Sequence, residues 1–211
     1  MDNRTLFQIY CGTLKREHLL IFTFCNCNDY NLQSIKLTRF IFLIVGDMAL
    51  NTFFFSDDSM YKLFLNYGKY NFVQQIPQIT YSTIISSVIE IFLCYLSLTD
   101  KYFYLIKSNF IKGEKNNIIK TIKCAKIKLI FFYIFIFIFF ILYWYIITIF
   151  CGVYRNTQIA FIKDSAISFS IGLIYPIFLY FLSASLRYCS LTNKKKSCKC
   201  IYNLSYMIPF F

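Results

Sequence analysis

The sequence predicts an all-α membrane protein, a polytopic helix bundle with about four transmembrane helices and interfacial amphipathic helices beside them. Three observations predict it. The 211 residues are 58% hydrophobic and 21% aromatic but only 15% charged, whereas a soluble domain is about 45–50% apolar and a quarter charged. A soluble fold of this size has too little interior to hide so much Phe, Ile, Leu and Tyr. The charges are also sorted: long charge-free windows alternate with lysine clusters, as a bilayer rather than water would partition them. Finally, four windows each approach the ~20 apolar residues that carry a helix across ~30 Å of hydrocarbon. With 6 Gly and 3 Pro the chain holds no collagen-like, Pro-rich or flexible linker tract, so one compact membrane domain is expected.

Residues 1–36 are expected to form a cytosolic or interfacial N-terminal segment. Lys15-Arg16 precedes LLIFTF, but that stretch is shorter than a signal-peptide core and no small-residue cleavage site follows. Targeting therefore falls to the first span, 37–56, acting as an uncleaved signal-anchor. This span contains RFIFLIVGDMALNTFFF, with Asp47 in its middle.

In FSDDSMYKLFLNYGKYNF, 55–72, Ser56 is placed to cap a helix whose first turn holds Asp57 and Asp58. Met60, Leu63, Phe64 and Tyr67 recur on one face, and Gly68 can end the helix. The acidic pair lacks the spacing of a calcium loop. The second span, 77–98, opens with Pro77 in a first helical turn. It carries Glu90 and a small, polar stripe of Ser82, Ser86 and Ser87.

A second interfacial helix is read over NNIIKTIKCAKIKL, 116–129. Ile118, Ile119, Ile122, Ala125 and Leu129 share a face, crowded by Lys115, Lys120, Lys123 and Lys126. Their stems can snorkel while the ammonium groups meet anionic lipid headgroups, each contributing ~1 kcal/mol near a charged leaflet. The third span, 128–151, has no charge between Lys128 and Arg155. It is too long for a strand and lacks the alternating polar residues of a barrel strand. The fourth span, 165–187, has Pro176 to kink it, with Ser168, Gly172, Ser183 and Ala184 small enough for close helix approach. Residues 188–211 form a basic, cysteine-containing tail.

Orientation follows from the cations. Of the 22 Lys and Arg residues, 18 precede or edge the first span, fill the loop between the second and third, or lie in the tail. Only Lys62, Lys69, Arg155 and Lys163 fall on the other side. The positive-inside rule then puts both termini and the lysine-rich loop in the cytosol. The even number of spans agrees. The Asn3 and Asn203 sequons fall on that same side and are expected to carry no sugar.

Asp47 and Glu90 are the chemistry-bearing residues inside the spans. Counted from the span ends, they lie ~15 Å and ~12 Å deep, on adjoining antiparallel helices. An ionised carboxylate at mid-bilayer costs at least ~2.5–3.5 kcal/mol, so without a cation the un-ionised acid is expected. Three readings stay open: interhelical hydrogen bonding to groups such as Asn51 and Ser86, a proton- or cation-binding pair in a transport path, and pairing with a basic residue of another subunit. The nine cysteines allow two more readings. CNC (25–27) and CKC (198–200) could combine into a four-thiolate zinc site, although zinc motifs normally use a longer separation. Cys189, Cys198 and Cys200 beside Lys194–Lys196 fit S-palmitoylation with a polybasic patch.

His18 is the only histidine, which excludes a His-based metal cluster, and it reads as a solvated residue at headgroup level. No phosphate-binding loop, nucleophile elbow or zinc-protease motif occurs. Neither an enzyme, a cofactor nor a metal is expected. The net charge of +12 is membrane-side lysine rather than a nucleic-acid groove.

Five strings taken together carry a resemblance: GTLKREH at 12–18, GDMALNTFFFSDDSM at 46–60, NYGKYNFVQQIPQI at 66–79, CYLSLTDK at 94–101 and NTQIAFIKDS at 156–165. In this order they resemble the membrane region near the C-terminal end of very large, uncharacterised multi-spanning proteins of AT-rich protist genomes. The Phe, Ile, Tyr, Lys and Asn richness fits such a genome. The resemblance covers about residues 11–190 and brings no catalytic residue with it. It implies that the chain is the tail of a larger protein or a gene fragment. The expected function is accordingly a membrane anchor or structural bundle, with the lipid bilayer, other membrane subunits or a second copy as partners. The alternative is a small ion or proton channel or transporter subunit using Asp47 and Glu90.

Overall fold

The computed structural model describes residues 5–25, 29–66, 72–97, 100–192, 202, 203 and 205. Among these residues the fold is all-α, with no strand. Four helical stretches, Gln33–Phe54, Gln75–Ile111, Lys115–Val153 and Arg155–Leu191, are long and apolar enough to cross a membrane. The chain divides into two compact units, residues 29–169 and residues 1–28 with 170–211.

The larger unit holds α3 (Gln33–Phe54), α4 (Asp57–Leu65), α5 (Phe72–Ser97), α6 (Asp100–Ile111), α7 (Lys115–Val153) and the first turns of α8 (Gln158–Thr192). Helix α3 packs against both α5 and α7, and α6 packs against α7. Its buried positions include Ile35, Arg39, Phe42, Leu43, Gly46, Asp47, Ala49 and Asn51, the recurrence of a helix with neighbours on two sides. Gly46 permits close approach: a Cβ there would stand 3.1 Å from the Tyr143 ring of α7.

Helix α7 runs unbroken for 39 residues, or ~58 Å. Residues 115–151 hold no Gly or Pro to stop it. The separate interfacial helix expected over 116–129 is therefore absent as such; that segment forms the opening turns of α7. Helix α6 turns back along it through Lys112–Glu114, where Gly113 adopts φ +74°, a left-handed conformation open to glycine without a Cβ clash. The inward stripe of the apolar part is Phe132, Ile136, Tyr143 and Phe150, all buried. The intervening Ile130, Phe131, Ile134, Phe137, Ile138, Ile141 and Trp144 point outward and are more than half-exposed, apart from Ile134 at half. A contiguous apolar surface of that kind is rare on a protein that faces water.

Two cap expectations meet different outcomes. Ser56 caps α4 as expected, its Oγ accepting from the Ser59 N–H at 3.2 Å. Met60 enters a buried cluster with Phe150 and Phe161, while Phe64 stays 78% exposed. Pro77 does not open its helix; it lies inside α5, which is helical from Phe72. A proline near a helix start removes one amide donor, and early helical turns tolerate this better than later ones.

In the smaller unit α1 (Leu6–Glu17) begins with a capping box: the Gln8 N–H donates to Thr5 Oγ1 at 3.3 Å, and the Thr5 N–H to Gln8 Oε1 at 3.0 Å. LLIFTF becomes the short helix α2 (Leu19–Phe24). His18, between them, is not solvated but 4% exposed. Its Nε2 lies 3.0 Å from the Leu173 carbonyl, and the Tyr180 hydroxyl donates to the Glu17 carbonyl at 3.2 Å. The turn between α1 and α2 thus presses the imidazole onto α8, near Pro176.

Candidate functional site

The larger unit buries a polar cluster built from three helices. Asp47 and Asn51 stand one turn apart on α3, Gln78 and Ser82 one turn apart on α5, and Ser168 comes from α8. Asp47, Asn51, Gln78, Ser82 and Ser168 are each at most 5% exposed. Helical periodicity explains why α3 and α5 can each offer two inward groups, since residues four apart share a face.

The contacts close into a ring. Ser168 Oγ stands 3.0 Å from Asp47 Oδ1, and 3.1 Å from Ser82 Oγ. Ser82 Oγ stands 3.0 Å from Asn51 Oδ1. The Asn51 amide returns to Asp47, donating to its Oδ2 at 3.3 Å and to its backbone carbonyl at 2.9 Å. Gln78 Nε2 adds a bond to the Asn51 carbonyl at 3.3 Å. Among the described residues no Lys or Arg forms an ion pair with Asp47.

Glu90 has different company. Its Oε1 lies 3.8 Å from Arg39 Nη2, and Arg39 is buried while Glu90 is about one-third exposed. Arg39 Nη1 also donates to the Cys94 sulfur at 3.1 Å. Arg39 thus meets residues 90 and 94 while Asn51 meets 78 and 82, so the register sets Glu90 opposite a point about six residues from Asp47. That is an axial offset of ~9 Å, rather than the shared depth expected from counting. The two carboxyls have separate partners.

The remaining expected residues fall as follows. Lys115, Lys120, Lys123 and Lys126 are all exposed on α7. Cys189 is an exposed free thiol near the end of α8; Cys198 and Cys200 lie outside the described residues. Lys128 is held by aromatic faces, its Nζ 4.3 Å from the Tyr95 ring centroid and 5.0 Å from that of Tyr102. Asp164, expected at the border of the fourth span, is fully buried one turn before Ser168.

Sequence reasoning found Asn51 as a one-turn neighbour of Asp47 and Ser82 as part of a polar stripe. It missed Ser168 as the partner that closes the ring, valuing it only for its small size, and it counted Arg39 only as a topogenic charge. Comparison with family models, with curated proteins and with solved structures finds no match.

Proposed function

We propose that this chain is a multi-pass integral membrane protein that works as an anchor or structural bundle. In this reading its working interaction is helix packing, and it performs no catalysis. The observation that carries the reading is the closed polar cluster: Asp47 is consumed by Asn51 and Ser168, while Glu90 is engaged by Arg39. Groups that satisfy one another across helices act as interhelical glue, each such bond typically contributing ~0.6 kcal/mol in a membrane. A conduction path through both acids is less well supported, because their partners differ and their axial positions are ~9 Å apart.

The orientation proposed with it puts both termini and the α6–α7 hairpin in the cytosol. Lys128 then marks the headgroup level, and α7 carries the other lysines outward at ~1.5 Å per residue. Lys126 and Lys123 lie ~3 Å and ~8 Å beyond it by that rise, within one Debye length of an anionic leaflet. Lys120 and Lys115, at ~12 Å and ~20 Å, lie beyond that length. The resemblance to tail-end membrane regions supports an anchoring role for a larger assembly. S-palmitoylation at Cys189, Cys198 and Cys200 would strengthen it, and acyl exchange on the purified protein would detect the thioesters.

The test is flux. Reconstituted vesicles should leak protons and monovalent cations no faster than protein-free vesicles. A flux abolished by Asp47→Asn or Glu90→Gln would replace the anchor with the transport reading.

A further inference from the structure

We propose that the ring around Asp47 is a proton-binding site, in which the Asp47 carboxyl holds one exchangeable proton and donates it to Ser168. The proton follows from a count of hydrogens. The ring has four contacts: Asp47 to Ser168, Ser168 to Ser82, Ser82 to Asn51, and Asn51 to Asp47. Each is of hydrogen-bond length and each requires one hydrogen.

Ser168 and Ser82 bring one hydroxyl hydrogen each, and Ser82 shares its own between Asn51 Oδ1 and the Ile79 carbonyl, each at 3.0 Å. Asn51 brings two amide hydrogens, but one is already committed to the Asp47 backbone carbonyl at 2.9 Å. At most three hydrogens therefore serve four contacts. Turning the Asn51 amide over does not supply the fourth, because its oxygen would then face both the Asp47 carbonyl and Asp47 Oδ2. Thr83 does not supply it either, since its hydroxyl donates to the Ile79 carbonyl at 2.7 Å. The missing hydrogen is the one that a carboxylic acid carries.

With it in place the ring runs one way round. Asp47 Oδ1–H donates to Ser168, Ser168 to Ser82, Ser82 to Asn51 Oδ1, and the Asn51 amide to Asp47 Oδ2. Proton release breaks the Oδ1–H bond and leaves the electron pair on the carboxylate. Ser168 then rotates its hydrogen toward Asp47, and the Ser82–Ser168 contact between α5 and α8 is left with two oxygens facing each other. Binding the proton reverses each rotation, so the acid form clasps three helices and the ionised form opens one of the joints.

The other titratable groups on the packed helices do not supply a countercharge. Arg39, two turns away on α3, is engaged with Glu90 and Cys94 of α5. Tyr143 of α7 abuts Gly46, and Asp164 of α8, one turn from Ser168, is an acid itself. This inference concerns occupancy of the ring and stands whether or not the anchor reading holds.

The experiment is infrared difference spectroscopy on the full chain in lipid nanodiscs, wild type minus Asp47→Asn, in H2O and in D2O. The expected result is an un-ionised carboxylic carbonyl band in the wild type that moves on deuteration and is missing in the variant. Ser168→Ala, read as a second variant, should displace the same band because the acid O–H loses its acceptor. A wild type lacking the band, with carboxylate bands in its place, overturns the proposal, as does a band that Ser168→Ala leaves unmoved. Replacement of the band on adding sodium chloride at fixed pH would assign the ring to a metal cation instead.

Discussion

Ser168 joins Asp47 across 121 residues of sequence, which is why no local pattern pointed to it. A mid-span carboxyl announces itself by its insertion cost, and Asn51 by its one-turn spacing, but the third helix of a cluster is set by packing alone. Glu90 was equally visible and yet misplaced, because counting inward from span ends fixes depth less sharply than the Arg39 contact does. Replacing Ser168 by Ala should lower unfolding stability in detergent by about 1–3 kcal/mol, the cost of leaving buried polar groups unsatisfied. Ser86→Ala, on the same stripe but outside the ring, should stay within about 0.5 kcal/mol. Equal losses at the two positions would deny the ring any special standing. Gly46 supplies a second residue-scale test. Tyr143 is flanked by the Phe42 and Phe139 rings at centroid distances of 5.3 Å and 5.9 Å, so it has little room to yield. Gly46→Leu should therefore push α3 off α7 at a cost of about 1–3 kcal/mol, seen as an earlier thermal transition; an unchanged transition would mean that the contact is slack.

The long helices were legible because an apolar window of some twenty residues has few other fates. Their ends were less so. The segment over 116–129 looked like a separate amphipathic helix because its isoleucines share a face, but sequence periodicity does not say where a helix stops. With no glycine or proline before Gly152, the hydrogen-bond ladder continues from Lys115 to Val153. The partly buried Ile118, Ala125 and Leu129 recur on one side of the stretch along which α6 turns back, so α6 contributes to covering that face. A gradient follows for the lysines. Neutralising Lys123 and Lys126 together should weaken recruitment of anionic lipid, measured by native mass spectrometry or lipid-quench fluorescence, several-fold more than neutralising Lys115 and Lys120 together. The attraction is ~1 kcal/mol per residue close to the surface and fades within a Debye length. Equal effects would show that the opening turns of α7 lie along the leaflet rather than rising from it.

For the molecule as a whole, composition and the sorting of charge foretold an all-α fold with four helices able to cross a bilayer, since the solvent a chain needs is written in its average residue. What holds those helices in register was only partly foretold. The inward positions of α3 carry Arg39, Asp47 and Asn51 among its apolar side chains, and the pairings that satisfy them emerge only when α5 and α8 arrive. In the proposed orientation the lysine-rich hairpin and position 155 lie on opposite faces of a membrane. Single-cysteine versions of the chain, one retaining Cys124 and one carrying Arg155→Cys, would be translated into sealed microsomes and exposed to a membrane-impermeant maleimide. Both positions are exposed on the protein itself, so accessibility reports the membrane. Cys124 should label at once, and the residue at 155 only after detergent opens the vesicles. Labelling of both positions in sealed vesicles would contradict the four-span arrangement, and the reverse order would overturn its orientation.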